Sequence, residues 1–122
     1  MIIFGNTEGK GRGVFAQTPF IKGEIIERAP VIVIPKEQVE FIDKTVLFNY
    51  YYSWSEGQIA IALGFGSLYN HSYHPNCFYV RKIEDKIIEY IAHRDIEVGE
   101  EITTNYNGEV DNCAPLWFNS VQ

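Results

Sequence analysis

Gly64-Phe65-Gly66-Ser67-Leu68-Tyr69-Asn70-His71-Ser72-Tyr73-His74-Pro75-Asn76-Cys77 is the stretch on which the reading of this chain turns. Two short polar side chains, Asn70 and Ser72, flank a histidine between a glycine pair and a proline. His71, His74 and Cys77 fall three apart, a spacing that suits a metal. Zinc, however, takes four protein ligands in structural sites, or three plus water in catalytic ones. The remaining candidates, His93 and Cys113, lie far away in sequence. The competing reading is a turn in which the histidines bond backbone and Cys77 packs as a small hydrophobe.

Upstream, Gly9-Lys10-Gly11-Arg12-Gly13-Val14-Phe15 alternates glycines, so its backbone can approach a ligand closely. No Gly-Lys-Ser/Thr follows, and Ala16–Pro19 does not open a helix, which excludes a Walker loop and a dinucleotide fingerprint. A glycine-rich turn before a strand remains the alternative. Ile25–Ile26 and Val31–Ile34 are β-branched stretches punctuated by Gly23, Pro30 and Pro35. Residues 36–52 carry a weak helical period in Val39, Ile42, Val46, Leu47 and Tyr50, which predicts one or two helical turns.

Downstream, Ile83 and Ile87–Ile91 flank Glu84-Asp85-Lys86, which predicts a hairpin with a three-residue loop. Val98-Gly99-Glu100 reads as a turn into a strand over Ile102–Thr104 that ends at Tyr106. A tyrosine there is a core filler, a binding group or a hydroxyl acting in catalysis. The tail from Gly108 is loop-like apart from Leu116-Trp117-Phe118, an apolar cluster that should dock onto something.

At 122 residues the chain is expected to be one domain, over 1–122. A net charge of −6 argues against nonspecific nucleic-acid binding and favours a basic partner. Two cysteines make no disulfide framework. No apolar run approaches membrane-spanning length. A soluble intracellular protein is expected, cytoplasmic or, for an effector, in a host nucleus.

Taken together and in order, three segments resemble the SET domain family. Gly11-Arg12-Gly13 resembles its Gly-x-Gly entry motif, and Asn70-His71-Ser72 through Pro75-Asn76 its Asn-His-Ser-x-x-Pro-Asn signature. Arg94 to Tyr106 is similar to its Arg-Asp-Ile…Gly-Glu-Glu…Tyr ending. The resemblance spans about residues 9–107 and is nearest to minimal viral and bacterial members. It implies a mainly β, β-clip-like fold of small curved antiparallel sheets with few short helices and a C-terminal pseudoknot. That pseudoknot would bring segments 70–72 and 104–106 together.

The resemblance also implies S-adenosylmethionine as cofactor and transfer of its methyl to a lysine of a basic protein such as a histone. Lys10, Gly11, Arg12 and Gly13 would hold the methionine part, Asn70 and His71 the amino group and adenine edge, and Trp117 would cover the adenine. Tyr106 matches the catalytic tyrosine. Tyr51, Tyr69 and Phe118 would line the substrate channel. No metal is implied, because Tyr73 replaces the family's zinc-binding cysteine and the tail carries Cys113 alone. Closure by Leu116–Phe118 is expected instead, from the same chain or from a partner subunit of a homodimer. Asn105 stands where many members place Asp before the tyrosine. A binding module that keeps the fold without catalysis and a zinc-dependent interaction domain are the competing classes.

Overall fold

The structure is a computed structural model, and it describes residues 1–108 and 113. Trp117 and Phe118 therefore lie outside the described residues, as does the rest of the Leu116–Phe118 cluster. Among the described residues nine strands organise two sheets: β1 (Ile2–Asn6), β2 (Arg12–Ala16), β3 (Ile25–Ile34), β4 (Tyr52–Ser53), β5 (Ile59–Ala62), β6 (Asn70–His71), β7 (Cys77–Lys82), β8 (Ile87–Ala92) and β9 (Glu101–Thr104). One sheet runs β1-β2-β9-β6 and the other β4-β5-β3-β8-β7.

The period-2 pattern explains the larger sheet. On β8, Ile88, Tyr90 and Ala92 are buried while their neighbours are half-buried, as expected for a strand with one face on the core. These residues join Val14, Ala29, Val31, Ala60, Ala62, Tyr69, Cys77, Ile96 and Ile102 in one cluster. Pro30 does not interrupt β3. It lies where the strand changes partner, since residues 25–30 pair with β8 and 31–34 with β5. Proline has no N–H to give a ladder, so it fits such a switch point.

The β7–β8 hairpin forms as read, with a loop one residue longer than expected. Lys82 pairs with Ile87, so Ile83 belongs to the turn, and Lys86 takes a positive φ of 54° to close it. The 36–52 segment contains a 3₁₀ turn (Lys36–Gln38), a single-turn helix α1 (Val39–Ile42) and a second 3₁₀ turn (Val46–Asn49). The expected face does not reach the core: Val46 is 69% exposed, and Leu47 and Tyr50 are also exposed. Thr45 breaks the segment. Its hydroxyl donates to the Ile42 carbonyl and accepts from the Leu47 N–H, which restarts the backbone in a new direction.

Parallel pairing of β6 with β9 is the feature that builds the site. Asn70 lies opposite Thr103 and His71 opposite Thr104. The Ser72 N–H continues the ladder to the Thr104 carbonyl at 2.9 Å. Segments 70–72 and 103–106 therefore meet across the fold, as the pseudoknot requires. Asn76, 2% exposed, staples the junction. Its amide nitrogen donates to the Glu101 carbonyl at 2.8 Å, and its oxygen accepts from the Thr103 N–H at 2.9 Å.

Candidate active site

Tyr106 follows the end of β9 and is fixed at both ends. Its N–H donates to Nδ1 of His71 at 3.0 Å, and its hydroxyl donates to the Tyr69 carbonyl at 2.6 Å. Burial pushes the Tyr106 phenol well above its ordinary range, so it is a neutral hydroxyl at any physiological pH. With its O–H directed at the Tyr69 carbonyl, its oxygen meets any incoming group as an acceptor.

His71 is 3% exposed. Because Nδ1 accepts, its proton sits on Nε2, which finds no partner among the described residues. Burial first, and Lys10 second, hold its pKa below the usual histidine value. Neutral His71 is thus part of the folded junction. The unfolded imidazole titrates near 6.5, so between the two pKa values the unfolded chain binds more protons. The stabilisation is full above about pH 6.5 and is lost as pH falls toward the folded value. Melting temperature should therefore drop between pH 7 and pH 5.5, and drop less in His71→Asn, which keeps an acceptor that does not titrate. Equal drops in both proteins would remove His71 from the pH response.

Two cavities meet at Tyr106. The larger, of about 1050 Å³ counted out through its mouth, is walled by Tyr51, Tyr52, Tyr79, Arg81 and Tyr106 and also touches Tyr69. The smaller, of about 870 Å³ on the same count and with a more open mouth, takes in Lys10, Gly11, Arg12, Asn70 and Tyr106. Asn49, Tyr50, Ser67 and Tyr106 border both. Without their mouths the two hold about 350 and 390 Å³, both in the ~300–1,000 Å³ span of small-molecule sites.

Of the residues singled out in the sequence, Lys10, Gly11, Arg12 and Asn70 gather at the smaller cavity. Gly13 lies beneath it on β2, and His71 braces Tyr106 from behind. Tyr51 borders the larger cavity and donates its hydroxyl to Asp43 at 2.7 Å. Burial and that carboxylate push its pKa up to about 12. The Tyr69 ring is 1% exposed and stacks on Tyr90 at 4.3 Å. Its hydroxyl bonds Glu27 at 2.8 Å, so its carbonyl is the group that reaches Tyr106.

Tyr52, Tyr79, Arg81 and Glu101 were missed by sequence reasoning. Tyr79 and Arg81 share one face of β7 by strand alternation, which was the available signal. Glu101 stood within the Gly99-Glu100-Glu101 run of the resemblance, but nothing local tied it to the site, because its partners Lys10 and Asn70 are 91 and 31 residues away. The side-chain oxygen of Asn105 accepts from the Asn107 N–H at 3.0 Å. Among the described residues no group of three or more His, Cys, Asp or Glu could hold a metal. None of their helices is long and apolar enough to cross a membrane.

The SET domain pattern matches residues 11–107. The chain belongs to the SET domain family. A Schizosaccharomyces pombe histone-lysine N-methyltransferase specific for H3 lysine-37 is 40% identical over 114 residues, which cover 93% of this chain and 74% of that protein. An Aspergillus oryzae histone-lysine N-methyltransferase specific for H3 lysine-36 is 33% identical over 112 residues, 83% of this chain but only 12% of its relative. A crystal structure of a Plasmodium falciparum protein described as a candidate histone methyltransferase superposes with a TM-score of 0.72 at 28% identity, covering 89% of this chain and 99% of that one. One chain of a PRC2 structure also reaches 0.72, at 21% identity over 87% of this chain and 14% of its own, a likeness of fold. SET domain methyltransferases take their methyl from S-adenosylmethionine, and this chain is accordingly a lysine methyltransferase that uses that cofactor.

The residues present fit the cofactor. Lys10 and Arg12 supply cations for a carboxylate, and Asn70 supplies an amide beside them. Gly11, at φ 72°, turns the backbone in a way that L side chains rarely adopt, with open space where a Cβ would be.

Proposed function

We propose that this SET domain methylates a lysine in the basic tail of histone H3, in the neighbourhood of lysines 36 and 37, with S-adenosylmethionine in the smaller cavity and the lysine in the larger one. The meeting of two cavities of different chemistry at Tyr106 carries this reading. The smaller presents cations and an amide, whereas the larger presents tyrosine rings. A lysine stem suits such rings, and an ammonium can approach them by cation–π attraction. The net charge of −6 complements a basic tail. The two histone H3-directed relatives support the choice of substrate. Tail closure by Trp117 and Phe118, within this chain or across a dimer, belongs to the same proposal, as does a soluble intracellular setting.

The bound cofactor supplies a methyl activated on a sulfonium, so the chain has to position and desolvate rather than to activate. Its own residues do this in three ways. First, the larger cavity discourages the ammonium form of the entering lysine. Its described lining holds no carboxylate and no histidine, while Arg81 adds a positive charge held against the Ser53 carbonyl at 2.9 Å. A like charge and apolar walls both lower an amine pKa from its model value of about 10.4. Second, no side chain there takes the proton. Burial raises the phenols of Tyr52, Tyr79 and Tyr106, so all three stay protonated. The proton leaves to water. Third, Tyr106 donates its own proton to the Tyr69 carbonyl and so meets the neutral amine as a hydrogen-bond acceptor.

Asn70→Ala should weaken binding of S-adenosylhomocysteine by roughly 10-fold or more in calorimetry, as expected for loss of a hydrogen bond to a charged group. Unchanged affinity would remove Asn70 from the cofactor site. The substrate reading is tested by offering labelled cofactor with intact core histones and with H3 peptides in which lysines 36 and 37 are replaced singly and together. Label on H3 that the double replacement abolishes is the expected result. Label that survives it, or that lands on another histone, would overturn the assignment.

A further inference from the structure

The carboxylate of Glu101 sits behind the smaller cavity and is used at both oxygens. Oε1 receives the Lys10 ammonium at 2.7 Å, and Oε2 receives the Asn70 amide nitrogen at 2.8 Å. That same nitrogen donates to the Arg12 carbonyl at 2.9 Å. An asparagine amide has two N–H donors and one oxygen, so both donors of Asn70 are committed. Turning the amide over would set its oxygen against two acceptors, one of them charged. The flip is therefore fixed, and the Asn70 oxygen is left as an acceptor on a residue that lines the cavity.

We infer that Glu101 is a positioning residue that makes the site read the α-ammonium of the cofactor's amino-acid end, by locking the Asn70 amide with its oxygen outward. The inference rests on the cofactor assignment above and adds to it a residue that does not touch the ligand. Only a donor satisfies an outward carbonyl oxygen, and an ammonium is a donor with no acceptor capacity. The second bond of Glu101 keeps Lys10 at the cavity, where its cation is available to the carboxylate of the same amino acid. One acidic side chain thus sets both halves of a site for a zwitterion. Gly13 belongs to this device. A Cβ there would stand 2.5 Å from Glu101 Oε2 and 2.9 Å from Asn70 Nδ2, so glycine lets the two side chains meet over β2.

Calorimetry with S-adenosylhomocysteine and with its analogue lacking the α-amino group tests the inference. Wild-type protein should prefer the amino compound by about 10-fold or more, the scale of one hydrogen bond to a charged group. In Glu101→Gln, which keeps the shape, that preference should fall to within about threefold, because a glutamine cannot hold both Lys10 and the amide in place. Affinity for the deaminated analogue, which keeps the carboxylate, should fall only by the share that Lys10 contributes, so the ratio of the two affinities is the readout. Gly13→Ala, which wedges the same pair apart, should give the same loss of preference and serves if the glutamine variant fails a circular-dichroism check of folding. Equal weakening toward both compounds would show a merely structural role and overturn the inference. So would a wild-type protein that binds both compounds equally well. A wild-type protein that binds neither compound would instead remove the cofactor assignment, and this inference with it.

Discussion

Tyr106→Phe should lower kcat by about 10²–10³-fold, the scale on which one preorganised polar group contributes at a reacting centre, while affinity for S-adenosylhomocysteine stays within about threefold. The split follows from geometry. Removing the hydroxyl leaves the Tyr106 N–H on His71, so the ring stays on its backbone anchor. What disappears is the oxygen at the junction of the cavities, together with its bond to the Tyr69 carbonyl. The hydrogen bonds that place Lys10 and Asn70 run to Glu101 and the Arg12 carbonyl. A rapid-quench assay with labelled methyl and a parallel calorimetric titration read the two quantities. Loss of cofactor affinity equal to the loss of turnover would place Tyr106 in binding rather than transfer.

Asn76→Leu should cost roughly 2–6 kcal/mol of folding stability, from two buried backbone groups each losing a partner worth about 1–3 kcal/mol. Thr103 N–H and the Glu101 carbonyl have Asn76 as their side-chain partner, and leucine offers neither of them anything. Against a total of about 5–15 kcal/mol for a domain, the variant is expected to be close to unfolding at 37 °C. Urea denaturation should show a lower midpoint with an unchanged slope. A midpoint within error of wild type would mean that β9 holds its place without the staple.

Asn76 also shows where the sequence stopped being readable. The hairpin of β7 and β8 announced itself through β-branched residues around a charged triplet, because its contacts are local. The residues of the site came from motif resemblance, through Asn70-His71-Ser72 and Tyr106. Position alone would have left Tyr106 as a core filler. The pairing of β9 with β6 on one side and β2 on the other brings together an Asn76–Thr103 bond across 27 residues and a Lys10–Glu101 bond across 91, and no local pattern encodes either. The 36–52 segment failed differently. Its apolar period was real, but Thr45 divides it, and the exposed side chains of Val46 (69%), Leu47 (37%) and Tyr50 (40%) show that the period is not spent on the core. Phe48 and Tyr50 instead border the larger cavity.

The central claim is that the two cavities divide the substrates and that Tyr106 stands where they meet. A crystal structure with S-adenosylhomocysteine and an H3 peptide spanning lysines 36 and 37 measures this directly. The account predicts the amino-acid end of S-adenosylhomocysteine against Lys10, Arg12 and Asn70, the peptide lysine between the rings of Tyr52 and Tyr79, and its Nζ within hydrogen-bond distance of the Tyr106 oxygen. A nucleoside among the tyrosines, or a lysine amine that stops short of Tyr106, would contradict it.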